Sequence, residues 1–389
     1  MQVADLALQR NKYKHLSDEE WKWFLQQVEG RERTADKLPT FAAIEDWWYP
    51  VRLSCEQCSS EETARYKVSL LPSLQTESVQ WTVESSRDGG RLTMVDLTGG
   101  YGVDTYFLSE AFEHTDYVEQ NEELCRIAQH NFSGKPISIH NSFAEEFLKN
   151  AGQYDLIFLD PARRDSHGSK VFRLEDCTPN VVELLPTLLS HLTSKGRIMV
   201  KLSPMLDLTQ AVTALSAVTW DIHVVAVKNE VKEVLLLSGG TGKITAIDLT
   251  KMDKSFVFTR EEELNCEAIH VRSTINGEAI HYLYEPNAAI LKSGAYKLVG
   301  ARFGLQKLDV NTHLYVSDKI VPDFPGRVFK ALPYREGFGL GSQANVLTRN
   351  YPMTPEQLKK KLHLRDGGTA FVIGCRVAGK PTVFFAERV

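Results

Sequence analysis

Three groups of residues in this chain have the types and spacing to bind a ligand and act on it. The first is MVDLTGGYGVD, Met94–Asp104, where apolar residues run into Asp96 and Thr98 and then into glycines at 99, 100 and 102. Glycines let a loop pass close to a ligand with no Cβ in the way. A strand, such a loop and a following helix form a cradle for a nucleotide-type cofactor. The second group follows at the ends of the next apolar runs. Glu119 lies 17 residues after Gly102, where a carboxylate can accept both hydrogen bonds of a ribose diol. Ser142 and Phe143 offer a hydrogen bond and a stacking face to adenine, with core packing as the competing role for Phe143. The third group is DPARRD, Asp160–Asp165. The apolar run Leu156–Leu159 delivers Asp160 to the carboxyl end of a strand, where open sheets place their chemistry. Pro161 restricts the backbone there, and Arg163 with Arg164 suits an anionic substrate such as a nucleic-acid backbone. Lys201, at the end of a later strand, points to the same edge.

Other chemistries find less support. The spacing DLTGGYG lacks the third glycine of a pyrophosphate fingerprint, because position 105 is threonine. His114, His130, His140 and His167 are spread singly and predict no metal site. Cys177 has no sequence neighbour that would activate it as a nucleophile. Among the six cysteines only Cys55 and Cys58 are close together, and no second pair completes a zinc site.

The elements that must position these residues alternate in type. A capping box at Ser17 and Glu20 opens a helix whose face is Trp21, Phe24, Leu25 and Val28, and Pro39 ends that region. Trp47, Trp48 and Tyr49 are expected to pack. A helix capped by Ser59 or Ser60 and reaching Leu70 sits where a lid could cover a cofactor. Strands near Asp96, Glu119, His140, Asp160 and Leu202 then alternate with helices at Thr105–Phe112, Asn121–His130, Ala144–Leu148 and Asn180–Leu192. Trp220–Lys228 and Val231–Leu237 read as an antiparallel pair joined at Asn229 and Glu230. Five parallel units closed by a hairpin predict an α/β, Rossmann-like, seven-stranded sheet, unlike the six parallel strands of a dinucleotide-binding domain. Past Gly239 the pattern becomes α+β. A terminal unit follows, with strands Ala344–Arg349, Ala370–Val377 and Thr382–Glu387 and a helix at Thr354–Leu362 opened by a Thr354–Gln357 capping box. The expected domains are residues 1–90, 91–240, 241–340 and 341–389.

Composition is that of a globular protein, with 24% charged and 43% hydrophobic residues, and no stretch is apolar enough to span a bilayer. Scattered cysteines and the absence of a secretory leader lead us to expect a cytoplasmic protein. The net charge of −5 argues against a uniformly basic nucleic-acid binder. From Arg260 onward, however, 18 Lys/Arg face 13 Asp/Glu, leaving −10 on the preceding part.

These motifs carry a resemblance. MVDLTGGYGVD, YVEQNEELCRIAQHN, YDLIFLDPARR and GRIMVKLSP resemble the successive motifs of class I S-adenosylmethionine-dependent methyltransferases. EQCSSEETARYK resembles the upstream helix that closes over the cofactor's methionine end. NVLTRNYPMTPEQLKKKLHLRDGGTAFVIG is similar to the THUMP-like C-terminal domain of certain bacterial members. The resemblance implies S-adenosylmethionine held by Asp96, Thr98, Gly100 and Gly102 at its methionyl part, Glu119 at the ribose, and Ser142 with Phe143 at the adenine. Asp160 and Pro161 would take the catalytic positions of the family's D/N-P-P-Y/F/W motif. There the acidic residue and the next carbonyl accept amino hydrogens, and the freed lone pair attacks the methyl. Ala162 and Arg163 depart from that motif, which leaves ring-nitrogen methylation open and puts the aromatic partner elsewhere, at Phe172 in our reading. The THUMP-like region implies structured RNA, tRNA or rRNA, with Lys359, Lys360, Lys361 and Arg365 as phosphate contacts. A small-molecule, protein or DNA methyltransferase, or an idle nucleic-acid-binding scaffold, is the alternative.

Overall fold

The computed structural model describes Leu6 and residues 10–71, 92–163, 173–271, 280–332 and 341–389, except the side chains at 163, 252 and 253. Contacts divide the chain into two units, Met1–Trp220 with Leu235–Thr241, and Asp221–Val234 with Gly242–Val389.

The first unit begins with helices. In α1 (Asp18–Thr34) the capping box forms as its spacing requires: Glu20 N–H donates to Ser17 Oγ at 3.2 Å, and Ser17 N–H to Glu20 Oε2 at 2.7 Å. Pro39 does more than end this region. Its fixed φ and missing N–H suit a first helical position, and it opens α2 (Pro39–Ala43). Two further helices follow, α3 (Arg52–Gln57) and α4 (Glu61–Leu70), the latter capped by Ser60 Oγ, which accepts from Thr63 N–H at 3.2 Å. Trp47 and Tyr49 pack as expected, in one buried cluster with Phe41, Tyr101, Phe107 and Phe132. Phe41 stacks on Trp47 at 4.1 Å between ring centroids. This aromatic cluster seats the N-terminal helices against the glycine-rich loop and the helix after it.

The sheet then builds through β1 (Thr93–Asp96), α5 (Val103–Leu108), β2 (His114–Glu119), α6 (Glu122–Asn131), β3 (Ile137–Asn141), α7 (Ala144–Leu148), β4 (Tyr154–Leu159), α8 (Val181–Ser190) and β5 (Leu192–Leu202). Helix α9 (Leu208–Ala214) leads to β6 (Trp220–Val227) and β7 (Glu230–Ser238). Strand order in the first unit is β3-β2-β1-β4-β5-β7. Strands β1 to β5 are parallel, with Asp96 opposite Tyr117 and Phe158, Glu119 opposite Asn141, and Leu159 opposite Val200. Their carboxyl ends therefore lie along one edge, where a doubly wound sheet places its ligand. Helix α5 starts two residues before the expected Thr105, because Gly102 caps it at φ 82°. It ends at Leu108, and a single tight turn, Ser109–Ala111, covers the remainder. The β6–β7 hairpin turns on Lys228 and Asn229, at φ 51° and 62°, rather than on Asn229 and Glu230. Two successive left-handed residues are what a type I′ two-residue hairpin loop requires.

In the second unit β6 pairs with the first part of β7 and, in parallel, with β8 (Lys243–Asp248), which pairs antiparallel with β9 (Phe256–Thr259). A second sheet holds β10 (Tyr282–Pro286), β11 (Gln306–Asp309), β12 (Thr312–Ser317), β13 (Gly326–Leu332), β14 (Asn345–Arg349), β15 (Ala370–Val377) and β16 (Lys380–Arg388). Its order is β11-β12-β10-β13-β16-β15-β14, around a core of Leu283, Leu308, Leu314, Phe329 and Ile373. Buried Glu285 is gripped by two guanidiniums, with Arg327 Nε donating to Oε2 and Arg349 Nε to Oε1, each at 2.7 Å. Helix α10 (Pro355–Lys361) begins at the expected Thr354–Gln357 box. Among the described residues no helix is long and apolar enough to cross a membrane. No disulfide joins the six cysteines.

Candidate active site

The glycine loop is shaped on its packed side by aromatic rings. A Cβ on Gly99 would lie 2.2 Å from the Tyr117 ring, and one on Gly102 would lie 2.5 Å from Phe132. Gly100 differs: at φ 55°, its Cβ would meet only the Thr98 carbonyl, at 3.7 Å. Its open side belongs to a cavity of about 290 Å³ lined by the loop, by Glu119, Ser142 and Phe143, and by Asp160 and Lys201. Two bonds pin the loop to β2. Tyr117 Oη donates to Gly100 O at 2.5 Å, and Gly100 N–H donates to Glu119 Oε2 at 2.9 Å. Glu119 Oε1 accepts from Asn121 N–H at 2.8 Å. One lone pair remains on each carboxylate oxygen, enough for the two hydroxyls of a ribose.

Asp96 and Thr98 tie the strand ends together. Asp96 is buried, with Oδ1 accepting from Thr98 N–H at 3.0 Å and Oδ2 from Thr105 Oγ1 at 2.6 Å. Threonine at 105, an absence in the glycine pattern, thus anchors the first turn of α5 to the end of β1. Burial pushes the Asp96 carboxyl up to about 7, against the pull of those hydrogen bonds. Thr98 Oγ1 accepts from Asp160 N–H at 2.6 Å, joining β1 to β4 across the sheet edge.

Beside the loop runs a chain of alternating charges. Lys67 Nζ of α4, fully buried, lies 3.0 Å from Asp104 Oδ1. Lys201 Nζ lies 3.3 Å from Asp104 Oδ2 and 2.5 Å from Asp160 Oδ2. Ser59 Oγ donates to Asp104 Oδ2 at 2.7 Å and accepts from Lys201 at 3.1 Å and Lys67 at 3.3 Å. Burial alone would raise the Asp104 carboxyl, but the two ammoniums outweigh it and hold it below the usual carboxylate range.

The cavity thus gathers Asp96, Thr98, Gly100, Gly102, Glu119, Ser142, Phe143, Asp160 and Lys201, all singled out from the sequence. Phe143 is 52% exposed, which removes the core role as an alternative. Pro161, expected beside Asp160 in the catalytic positions, is buried and is not among the residues lining the cavity. Arg164, Phe172 and the side chain of Arg163 lie outside the described residues, as does His167. Cys177 is buried, and Ala162 and Arg163 pair antiparallel with Thr178 and Cys177. That pairing brings Thr178 and Pro179 onto the cavity wall, which their place in the sequence does not foretell. Lys359, Lys360 and Arg365 belong to the second unit and line no part of this cavity. Lys359 pairs with Asp366 at 2.7 Å, Arg365 Nε donates to Gly341 O at 2.9 Å, and Lys360 is exposed. His114 and His140 are less isolated than their spacing implies, because both meet Asp116, at 3.3 and 2.6 Å. Sequence reasoning missed Lys67 and Asp104 as site residues. The only signal was a lysine on the inner face of a short helix and a carboxylate just after the last loop glycine.

Comparison with known proteins agrees with this fold. A model described as a ferredoxin-like domain matches residues 282–325, and one described as THUMP domain-like matches residues 326–388. The crystal structure of a candidate methyltransferase from Porphyromonas gingivalis W83 is similar over 96% of this chain and 92% of its own, at 30% identity and a TM-score of 0.79. Uncharacterised S-adenosylmethionine-dependent methyltransferases from two Mycobacterium tuberculosis strains, CDC 1551 / Oshkosh and H37Rv, are 26% identical over 233 residues, 57% of this chain. The match spans 60% of the length of those two relatives.

Proposed function

The chain belongs to the S-adenosylmethionine-dependent methyltransferases that carry a C-terminal ferredoxin-like and THUMP-like region, and from that premise we propose that it methylates a base nitrogen of structured RNA, tRNA or rRNA, in the cytoplasm. The observation that carries this reading is the placement of Asp160 on the wall of the same cavity as the glycine loop and Glu119. S-adenosylmethionine, when bound, supplies a methyl carbon made electrophilic by its sulfonium.

The residues present fit that cofactor. Gly100 leaves room where any other residue would place a side chain, and the two Glu119 oxygens keep lone pairs for the ribose. Ser142 and the exposed Phe143 ring offer the adenine a polar and a stacking contact. Asp160 is fixed at its N–H by Thr98 and at Oδ2 by Lys201, so Oδ1 is the oxygen available to accept an N–H from the acceptor base. That bond orients the nitrogen lone pair for in-line attack, and positioning of this kind supplies most of the rate. RNA is supported by the THUMP-like match and by Lys360, Lys361 and Arg365, exposed in the same region.

The test is transfer of tritiated methyl from S-adenosylmethionine to RNA fractions from cells lacking the gene. Label in one fraction, lost with Asp160→Ala, is the expected result, and nucleoside digestion then names the atom. Tight cofactor binding with no labelled RNA would remove RNA as substrate and favour a small-molecule or protein acceptor.

A further inference from the structure

The Lys67–Asp104–Lys201–Asp160 chain does more than neutralise buried charge. A salt bridge formed only for stability would gain little here, since removing ammoniums and carboxylates from water costs about as much as their attraction returns. Lys67 at 0% exposure and Lys201 at 9% are costly placements, yet both lead toward one half-exposed carboxylate on the cavity wall. The four charges come from four elements: α4, the start of α5, the end of β5 and the end of β4. Ser59, just before α4, hydrogen-bonds to three of these four side chains.

We propose that Lys201 is a positioning residue that locks Asp160 through Oδ2 and presents Oδ1 to the methyl acceptor, and that Asp104 at the start of α5, with Ser59 and Lys67 from the N-terminal helical region, holds Lys201 in place. Seating of α4 beside the cofactor cavity and orientation of the acceptor carboxylate are then a single device. Two consequences follow from the geometry. First, Asp160 Oδ2 is taken up by the Lys201 ammonium at 2.5 Å, so Asp160 orients the acceptor by accepting a hydrogen bond at Oδ1, and the proton displaced by methylation leaves to solvent. Second, the acceptor atom must carry an N–H to donate, because a carboxylate oxygen facing it accepts. This deepens, and rests on, the reading of Asp160 given under Proposed function.

Lys201→Met is expected to lower kcat about 10- to 100-fold, the scale of losing orientation at a reacting centre, while S-adenosylhomocysteine binds within about threefold of wild type by calorimetry. Lys201→Arg should recover most of the rate. In an Asp160→Ala background, Lys201→Met should cost nothing further, since the two act as one unit. A full additional loss in that background overturns the proposal, and so does a loss confined to cofactor affinity with kcat intact. Lys67→Met, at the far end of the chain, decides the case if Lys201→Met fails to fold. A fall in kcat with cofactor affinity kept supports the proposal, and an unchanged kcat overturns it. Amide exchange over Glu61–Leu70 in the ligand-free protein needs no turnover. Faster exchange in Lys201→Met supports the coupling and unchanged exchange overturns it, even if wild type labels no acceptor and the methyl-transfer reading itself fails.

Discussion

Replacing Asp96 with asparagine should make this protein's stability depend on pH in a different way, by an amount the structure sets. Asp96 is 1% exposed, and its burial raises the carboxyl from 3.8 to about 7, with Asp104 and Asp160 nearby adding to the rise. The folded state therefore holds this proton more tightly than the unfolded chain. Its favourable contribution is complete below the unfolded value and disappears as pH climbs through the folded one. A difference of about 3 in pKa corresponds to about 4 kcal/mol, lost between about pH 4 and pH 8. Asparagine has the same shape. Its carbonyl can keep the Thr98 N–H, and the Thr105 hydroxyl can turn to accept from the amide, so the variant's own cost is independent of pH. Urea unfolding of both proteins at intervals across that range isolates the effect as the difference in unfolding free energy. Asp96→Asn minus wild type should rise by about 4 kcal/mol from the acidic to the alkaline end. A difference flat within about 1 kcal/mol would show that Asp96 ionises in the fold without penalty, and a falling one would mean the carboxylate is stabilised there.

Other expectations follow from the same loop and from the second unit. Gly99→Ala drives a methyl into the Tyr117 ring and should cost about 3 kcal/mol in unfolding free energy. Gly100→Val should instead leave a folded protein, at about 1–2 kcal/mol for its left-handed φ, that no longer binds S-adenosylhomocysteine by calorimetry. Phe143→Ala should leave melting within about 0.5 kcal/mol of wild type while weakening S-adenosylhomocysteine about 3- to 10-fold through lost stacking. Glu285→Gln leaves Arg327 and Arg349 without their shared carboxylate. It should destabilise the second unit by about 3 kcal/mol by urea unfolding, the lower end of the range because the Arg349 side chain is 38% exposed.

Much of this molecule could be read along the chain because its signals are local. The Ser17–Glu20 and Thr354–Gln357 boxes are satisfied within three residues, so spacing alone places those helix starts. Parallel strands bring their carboxyl ends to one edge, so Asp96, Glu119, Ser142 and Asp160 had to converge once the alternation of strand and helix was right. Local turn rules reach less far. Pro39 both follows one helix and opens the next, and the hairpin turn lies one residue from where composition put it, because strand register decides which two residues turn left-handed.

What only the tertiary structure decided is which groups use up one another's hydrogen bonds and charges. Thr105 is a missing glycine in the motif and a 2.6 Å donor to Asp96 in the fold. Lys67 is an ordinary helical lysine in sequence, yet it is fully buried against Asp104, and Asp104 meets Lys201, 97 residues away. No periodicity records such a pair. Its energy depends on the dielectric around it, and that is set by how deeply the fold buries it. The sequence determined where the backbone offers a site, because hydrogen bonding and hydrophobic alternation act over a few residues. The packed structure determined how Asp160 is held within it, because charge and desolvation act through space.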